Sequence, residues 1–200
     1  AQAGRRNHGA HRRRVGQQAR TAALVSRVAF IVNPNAASGK GLGRWNKLSA
    51  ALTKHDIFHQ AVLTERVGHA RELATQLAFT NELIVAVGGD GTVHEVANGI
   101  LESSPGCALG VFPVGTGNDF ATAWGFKQNV EQHLSLLNQP LFFKQDVLKI
   151  ENGLVKRWCI SVADIGLAAD VAKRINESNK SVRKSSHSVR VVVQIEINHR

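Results

Sequence analysis

The sequence predicts an α/β fold, a parallel sheet covered by helices on both faces, followed by the start of an antiparallel β domain. Three observations carry this expectation. Between Arg27 and residue 139, short aliphatic runs alternate with stretches whose apolar residues recur at helical spacing, and such alternation builds parallel sheets with helical crossovers. Three of those runs end in loops of small or special residues, at 33–41, 88–92 and 113–119. After Pro140 the helical spacing stops, and two strand-like runs, Phe142 to Glu151 and Leu154 to Val162, flank Asn152-Gly153, a strong short-range hairpin signal.

The elements follow in order. Val28 to Val32 reads as a buried strand ended by Asn33-Pro34, with the loop Asn35 to Gly41 behind it. Trp45, Leu48, Ala51 and Leu52 mark a first helix, Gln60 to Thr64 a second strand, and Ala70, Leu73, Ala74 and Leu77 a second helix. Leu83 to Val87 is the third strand. It runs into Gly88-Gly89-Asp90-Gly91-Thr92 and then a helix marked by Val93, Val96, Ala97, Ile100 and Leu101. Thr92 and Glu95 have the spacing of a capping box. Ala108 to Phe112 is the fourth strand, and Val130, Leu134 and Leu137 suggest a further helix. Ala168, Val171, Ala172 and Ile175 repeat the helical spacing within 163–180, whereas the last twenty residues show no clear period. The expected organisation is a disordered basic tail over 1–26, a nucleotide-binding α/β domain over 27–139 and an incomplete β-rich second domain over 140–200.

Charge separates the tail from the body. Residues 1–27 hold Arg5, Arg6, Arg12, Arg13, Arg14, Arg20 and Arg27 and no acid, so that 18 of the 25 basic residues remain to face all 15 acidic ones. Such a tail suits anionic lipid headgroups or nucleic acid, or stays solvated, and its acid-poor composition also fits a transit peptide. The longest apolar runs are about five residues, too short to span a bilayer. Cys107 and Cys159 have neither metal nor disulfide spacing and read as small core residues of a reducing compartment.

The loops carry the chemistry. A strand running into glycines and then a helix brings free N–H groups and a partial positive charge to a phosphate, and Asp90 beside phosphate calls for Mg²⁺ or a donor between them. In parallel sheets ligands gather at the carboxyl ends of the strands, where all three loops and Thr64 are expected to meet. The Walker A pattern fails because Gly41 follows Gly39-Lys40, the dinucleotide G-x-G-x-x-G pattern fails at Gly39/Gly41 and Gly115/Gly117, and the nine histidines show no metal spacing.

What remains, Asn33-Pro34 with Gly39-Lys40, then Gly88-Gly89-Asp90-Gly91-Thr92, then Pro113-x-Gly115-Thr116-x-Asn118-Asp119-Phe120-Ala121, resembles the catalytic domain of diacylglycerol kinases and their bacterial lipid-kinase relatives, a plan shared with sphingosine and ceramide kinases. The stretch Ile160 to Asp170 is similar to the family's next block. The resemblance implies a Rossmann-like domain of the NAD kinase and diacylglycerol kinase type. It also implies transfer of the γ-phosphate of ATP, with Mg²⁺, to a lipid hydroxyl, most simply diacylglycerol to phosphatidic acid. By position it implies nucleotide contacts at Asn33, Lys40, Thr64, Gly89, Asp90, Gly91, Thr92, Val93, His94, Glu95 and Thr116. Asp90 and Asp119 become the carboxylates near phosphate and metal, with the metal ligands otherwise unassigned, and Ser38 borders the same site. For Asp119 a helix N-cap role is the plainer alternative, and for Lys40 a solvated side chain. The expected partner is a lipid at a membrane surface, met peripherally from the cytoplasm and without a transmembrane segment. Nucleic acid is not the expected partner, and a homodimer is left open. The family's later blocks, including the acidic base that activates the lipid hydroxyl, have no counterpart in these 200 residues. Weak or absent turnover and poor autonomous folding are therefore expected of this stretch. The alternatives are an ATP-binding fragment without activity and an NAD kinase-like enzyme, the latter disfavoured by Asn33-Pro34 and Gly115-Thr116-x-Asn118-Asp119-Phe120.

Overall fold

A computed structural model describes residues 20–21, 25–103, 106–145, 147–151 and 156–161. The chain divides into two compact units, Ala1–Gln145 and Asp146–Arg200.

The first unit opens with β1 (Arg20–Thr21) and β2 (Val28–Val32), then α1 (Ala36–Gly39), α2 (Gly41–Lys54), β3 (Gln60–Leu63), α3 (His69–Leu77), β4 (Leu83–Gly88), α4 (Asp90–Ser103), β5 (Ala108–Pro113), α5 (Asp119–Ala123), α6 (Val130–Asn138) and β6 (Leu141–Phe142). Strands β3-β2-β4-β5 form a parallel four-stranded sheet. The residues of β2 and β4 are all buried, as continuous apolar runs in a sheet covered on both faces should be. Strand β3 lies at an edge and is largely exposed.

Strand alternation sorts the core into two layers. Val28, Phe30 and Val32 of β2, with Leu83, Val85 and Val87 of β4, pack with Trp45, Leu48 and Leu52 of α2 and Leu134 and Leu137 of α6. His133 ties α6 to the sheet: its Nε2 lies 2.9 Å from the Val111 carbonyl oxygen and its ring stands edge-on to Phe112. Helices α3 and α4 pack on each other and on the sheet, α3 against β2 and α4 against β4 and β5. Gly99 lets them approach. A Cβ there would collide with the Arg71 carbonyl oxygen and stand 2.7 Å from the Ala74 Cβ.

Cys107 behaves as the small core residue expected. It is buried, and burial pushes its thiol up to about 11, so it is neutral and unreactive at ordinary pH. Cys159 is half-buried.

Arg20 and Thr21, inside the stretch expected to be disordered, pair antiparallel with Phe142 and Leu141. In the second unit β7 (Leu148–Glu151) pairs antiparallel with β8 (Lys156–Cys159), from Leu148 opposite Cys159 to Glu151 opposite Lys156. The expected single run from Phe142 is thus split between β6 and β7. The Asn152-Gly153 turn, the helical spacing within 163–180 and all but the first two residues of the Ile160–Asp170 block lie outside the described residues.

The α3–α4 contact gives a paired test. Gly99→Ala is expected to lower unfolding free energy by about 1–3 kcal/mol through overpacking. Gly43→Ala, in α2 with nothing near its Cβ position, should leave it unchanged or raise it by up to about 1 kcal/mol. Urea midpoints of the two variants measure the difference.

Candidate functional site

The chain leaves β2 toward β3 on one side and reaches β4 on the other, so the loops after β2 and β4 diverge at the carboxyl edge. Such switch points open ligand crevices. Asn33 braces this one. Its N–H donates to the Val87 carbonyl (2.9 Å), its Nδ2 donates to Thr92 Oγ1 (3.0 Å), and its Oδ1 accepts the Asn35 N–H (3.0 Å). Beyond it, Ala37, Ser38 and Gly39 are left-handed (φ 52°, 57° and 88°), so α1 is a contorted turn and not a regular helix.

The backbone of the glycine loop is ordinary: Gly88, Gly89 and Gly91 are not among the left-handed residues. The fold needs small size at Gly88, where a Cβ would stand 2.5 Å from Thr92 Cβ, and at Gly89, where it would stand 3.2 Å from Gly115 Cα, while a Cβ on Gly91 would meet nothing within 4 Å. Gly89 and Gly115 pack backbone to backbone, and a Cβ on Gly115 would lie 2.6 Å from Gly89 Cα. The capping box also does not form. Helix α4 begins at Asp90, and the Gly89 carbonyl accepts the Val93 N–H (3.1 Å). Thr92 is therefore inside the first turn, its hydroxyl is engaged by Asn33, and Glu95 accepts the Gly68 N–H at 3.0 Å. Two long-range partners have displaced the local cap. The amides of Asp90, Gly91 and Thr92 lie in the first turn, where a helix offers them no internal acceptor.

The third loop is fixed against the second. The Val114 N–H donates to the Gly88 carbonyl (2.8 Å), and left-handed Asn118 (φ 55°) donates from Nδ2 to the Gly115 carbonyl (2.7 Å). Asn118, not Asp119, is the N-cap of α5, and it caps without a side-chain bond. That service comes from Asp90, whose Oδ1 accepts the Phe120 N–H at 3.2 Å.

A cleft of about 670 Å³ results. Of the residues singled out from sequence, Asn33, Thr64, Gly89, Asp90, Gly91, Thr92, Glu95 and Thr116 line it. Lys40, Val93, His94 and Asp119 are not part of its wall. Val93 is buried in the core, the His94 carbonyl takes an Asn98 amide hydrogen, Lys40 and Ser38 are exposed, and Asp119 is exposed in the first turn of α5. Sequence reasoning missed the segment between β3 and α3. Glu65, Arg66 and Val67 line the cleft, and the only cue was their position after a strand, at the edge where the other loops gather. Among the described residues Arg66 is the one cation of the wall. Its Nη1 and Nη2 fork onto Glu72 at 2.9 and 2.6 Å, which raises the guanidinium and holds the Glu72 carboxyl below its usual range.

No group of three or more His, Cys, Asp or Glu among the described residues is placed to hold a metal. Mg²⁺ is commonly held by one or two carboxylates together with substrate phosphates. Asp90 supplies one carboxylate at the cleft wall.

The diacylglycerol kinase catalytic domain profile matches residues 27–150. A diacylglycerol kinase of Staphylococcus aureus is 33% identical over 163 residues, covering 80% of this chain and 50% of that protein. YtlR of Bacillus subtilis, named as a candidate lipid kinase, is 36% identical over 117 residues, covering 56% of this chain and 38% of that one. A crystal structure of a Bacillus anthracis diacylglycerol kinase superposes with a TM-score of 0.52 at 30% identity, over 58% of this chain and 41% of that one. The chain thus spans half or less of the curated relatives it matches.

Asp90→Ala is expected to cost about 1 kcal/mol of stability by removing the cap of α5, and Asp90→Asn, which keeps an Oδ1 acceptor, should recover most of it. Thermal melts of the two variants separate the structural role of Asp90 from any role in binding.

Proposed function

Because the chain belongs to the diacylglycerol kinase catalytic domain family, we propose that its cleft binds ATP with Mg²⁺ and serves transfer of the γ-phosphate to a lipid hydroxyl, most simply that of diacylglycerol, giving phosphatidic acid. The observation that carries this reading is the convergence of Asn33, Thr64, Asp90, Thr92 and Thr116 on one cleft at the switch point. The phosphates sit against the free amides of the first turn of α4. Thr64 and Thr116 offer hydroxyls from the ends of β3 and β5, and Asn33 holds Thr92 in place. Asp90 is the carboxylate for Mg²⁺, which neutralises phosphate charge in the transfer. Arg66 supplies the cation that Lys40 was expected to supply. The lipid is met at the cytoplasmic face of a membrane, and no helix among the described residues is long and apolar enough to cross one.

Calorimetry of the chain with ATP tests the nucleotide half. ATP should bind more tightly with Mg²⁺ than without. Asp90→Asn should abolish that Mg²⁺ increment while keeping the fold, and Arg66→Gln should weaken binding about tenfold or more, as loss of a charged hydrogen bond does. Absence of ATP binding by the folded chain would sink the reading. Phosphate transfer by the chain, assayed with diacylglycerol against NAD, tests the acceptor. Transfer to NAD alone would favour the NAD kinase alternative, and binding without transfer to either would favour the ATP-binding fragment.

A further inference from the structure

The backbone between β3 and α3 is fixed, whereas the side chain of Arg66 can change partners. The Thr64 N–H donates to the Val32 carbonyl (2.8 Å), the Glu65 N–H to His69 Nδ1 (3.1 Å) and the Gly68 N–H to Glu95 Oε1 (3.0 Å), while the Arg66 carbonyl accepts the His69 N–H (3.2 Å). The Arg66 guanidinium is held by Glu72, in the first turn of α3. Its Nη1 donates to one carboxylate oxygen at 2.9 Å and its Nη2 to the other at 2.6 Å. Arg66 belongs to the cleft wall and Glu72 does not. The pair therefore ties the cation of the wall to a carboxylate outside the cleft.

This tie is easily exchanged. Both side chains are more than half exposed, at 60% for Arg66 and 52% for Glu72, and an ion pair in that setting contributes little. Once released, Glu72 stays in water and within the first turn of α3, where the helix favours a carboxylate. The bond to Arg66 holds the Glu72 carboxyl below its usual range, so Glu72 is fully charged at neutral pH. An arginine fork fits phosphate as well as it fits carboxylate, and a terminal phosphate brings three acceptor oxygens and more negative charge than one carboxylate.

We propose that Glu72 is an affinity-determining residue of this cleft: it occupies the Arg66 fork while the cleft is empty, and an entering polyphosphate takes the fork from it. Glu72 thus acts from outside the wall, as an internal competitor of the nucleotide's phosphates. Binding exchanges one ion pair for another and leaves the backbone of residues 64–68 where its own hydrogen bonds hold it. The inference rests on the ATP-binding reading and adds to it a residue that weakens the binding through Arg66.

A double-mutant cycle, read by calorimetry of the full chain with ATP and Mg²⁺, tests it. Glu72→Gln keeps the shape of the side chain and removes its charge. It is expected to tighten ATP binding about two- to fivefold, the range that an exposed ion pair holds back. In the Arg66→Gln background the same substitution should leave the affinity unchanged, because no fork remains to compete for. Both positions are exposed, and thermal melts check that each variant is folded. A gain of equal size in the Arg66→Gln background would overturn the proposal, since Glu72 would then act by repulsion through space and not through Arg66. A loss of affinity in Glu72→Gln would overturn it too, since Glu72 would then be holding Arg66 in place for the nucleotide, and so would an unchanged affinity. ATP binding without coupling in the cycle strikes this inference alone, whereas no ATP binding by the folded wild-type chain strikes the kinase reading itself.

Discussion

The site depends on Asn33 bridging two strands that the chain visits in opposite directions. Strand β2 hands the chain to β3 on one side, and β4 lies on the other. Right-handed crossovers then put α2 on one face and α3 and α4 on the other. The loops after β2 and β4 part as a consequence, and the gap would widen without a tie. Asn33 makes that tie with its backbone to Val87 and its side chain to Thr92. The first turn of α4 is thereby aimed across the crevice, and the Gly89–Gly115 contact brings in the third loop.

This arrangement has an electrostatic cost. Among the described residues the cleft wall carries Glu65, Asp90 and Glu95 against Arg66 alone, and Arg66 is already engaged by Glu72. A polyphosphate entering it meets more carboxylate than cation. Helix amides offset part of this, worth up to about 2 kcal/mol in favourable geometry, and a divalent cation at Asp90 offsets more. In the proposed reading the same excess of carboxylates gives a divalent cation its part at this wall, where no group of three or more His, Cys, Asp or Glu among the described residues is placed to hold one.

Much of this was legible in the sequence because it is local. The buried strands, the helical stripes of α2 and α4, and the gathering of three loops at one edge all follow from periodicity and strand order. The features that were not legible are long-range. Thr92 and Glu95 have the spacing of a capping box, yet Asn33, 59 positions upstream, takes the hydroxyl and Gly68, 27 positions upstream, takes the carboxylate. Asp119 has the look of a cap, but Asp90 performs the capping from 30 positions away. Val93 and His94 sit in the loop motif, yet the helical period turns their side chains away from the cleft. The Glu65–Val67 segment has no composition to distinguish it, and only its place after β3 brings it to the wall.

Asp90 shows why a motif residue can carry two roles that sequence cannot separate. One oxygen fixes α5, whose far end is Trp124, and the carboxylate also lines the cleft. Helix α5 is a five-residue segment whose N-cap, Asn118, makes no side-chain bond to the helix's own amides, and so short a helix has little stability in isolation. Its position is therefore set from outside, by Asp90 at one end and by the Trp124–Phe143 contact at the other. The Gly-Thr-x-Asn-Asp-Phe-Ala signature thus builds one wall of the cleft at Thr116 and the short helix that Asp90 holds, which accounts for a motif whose Asp119 lies outside the cleft wall.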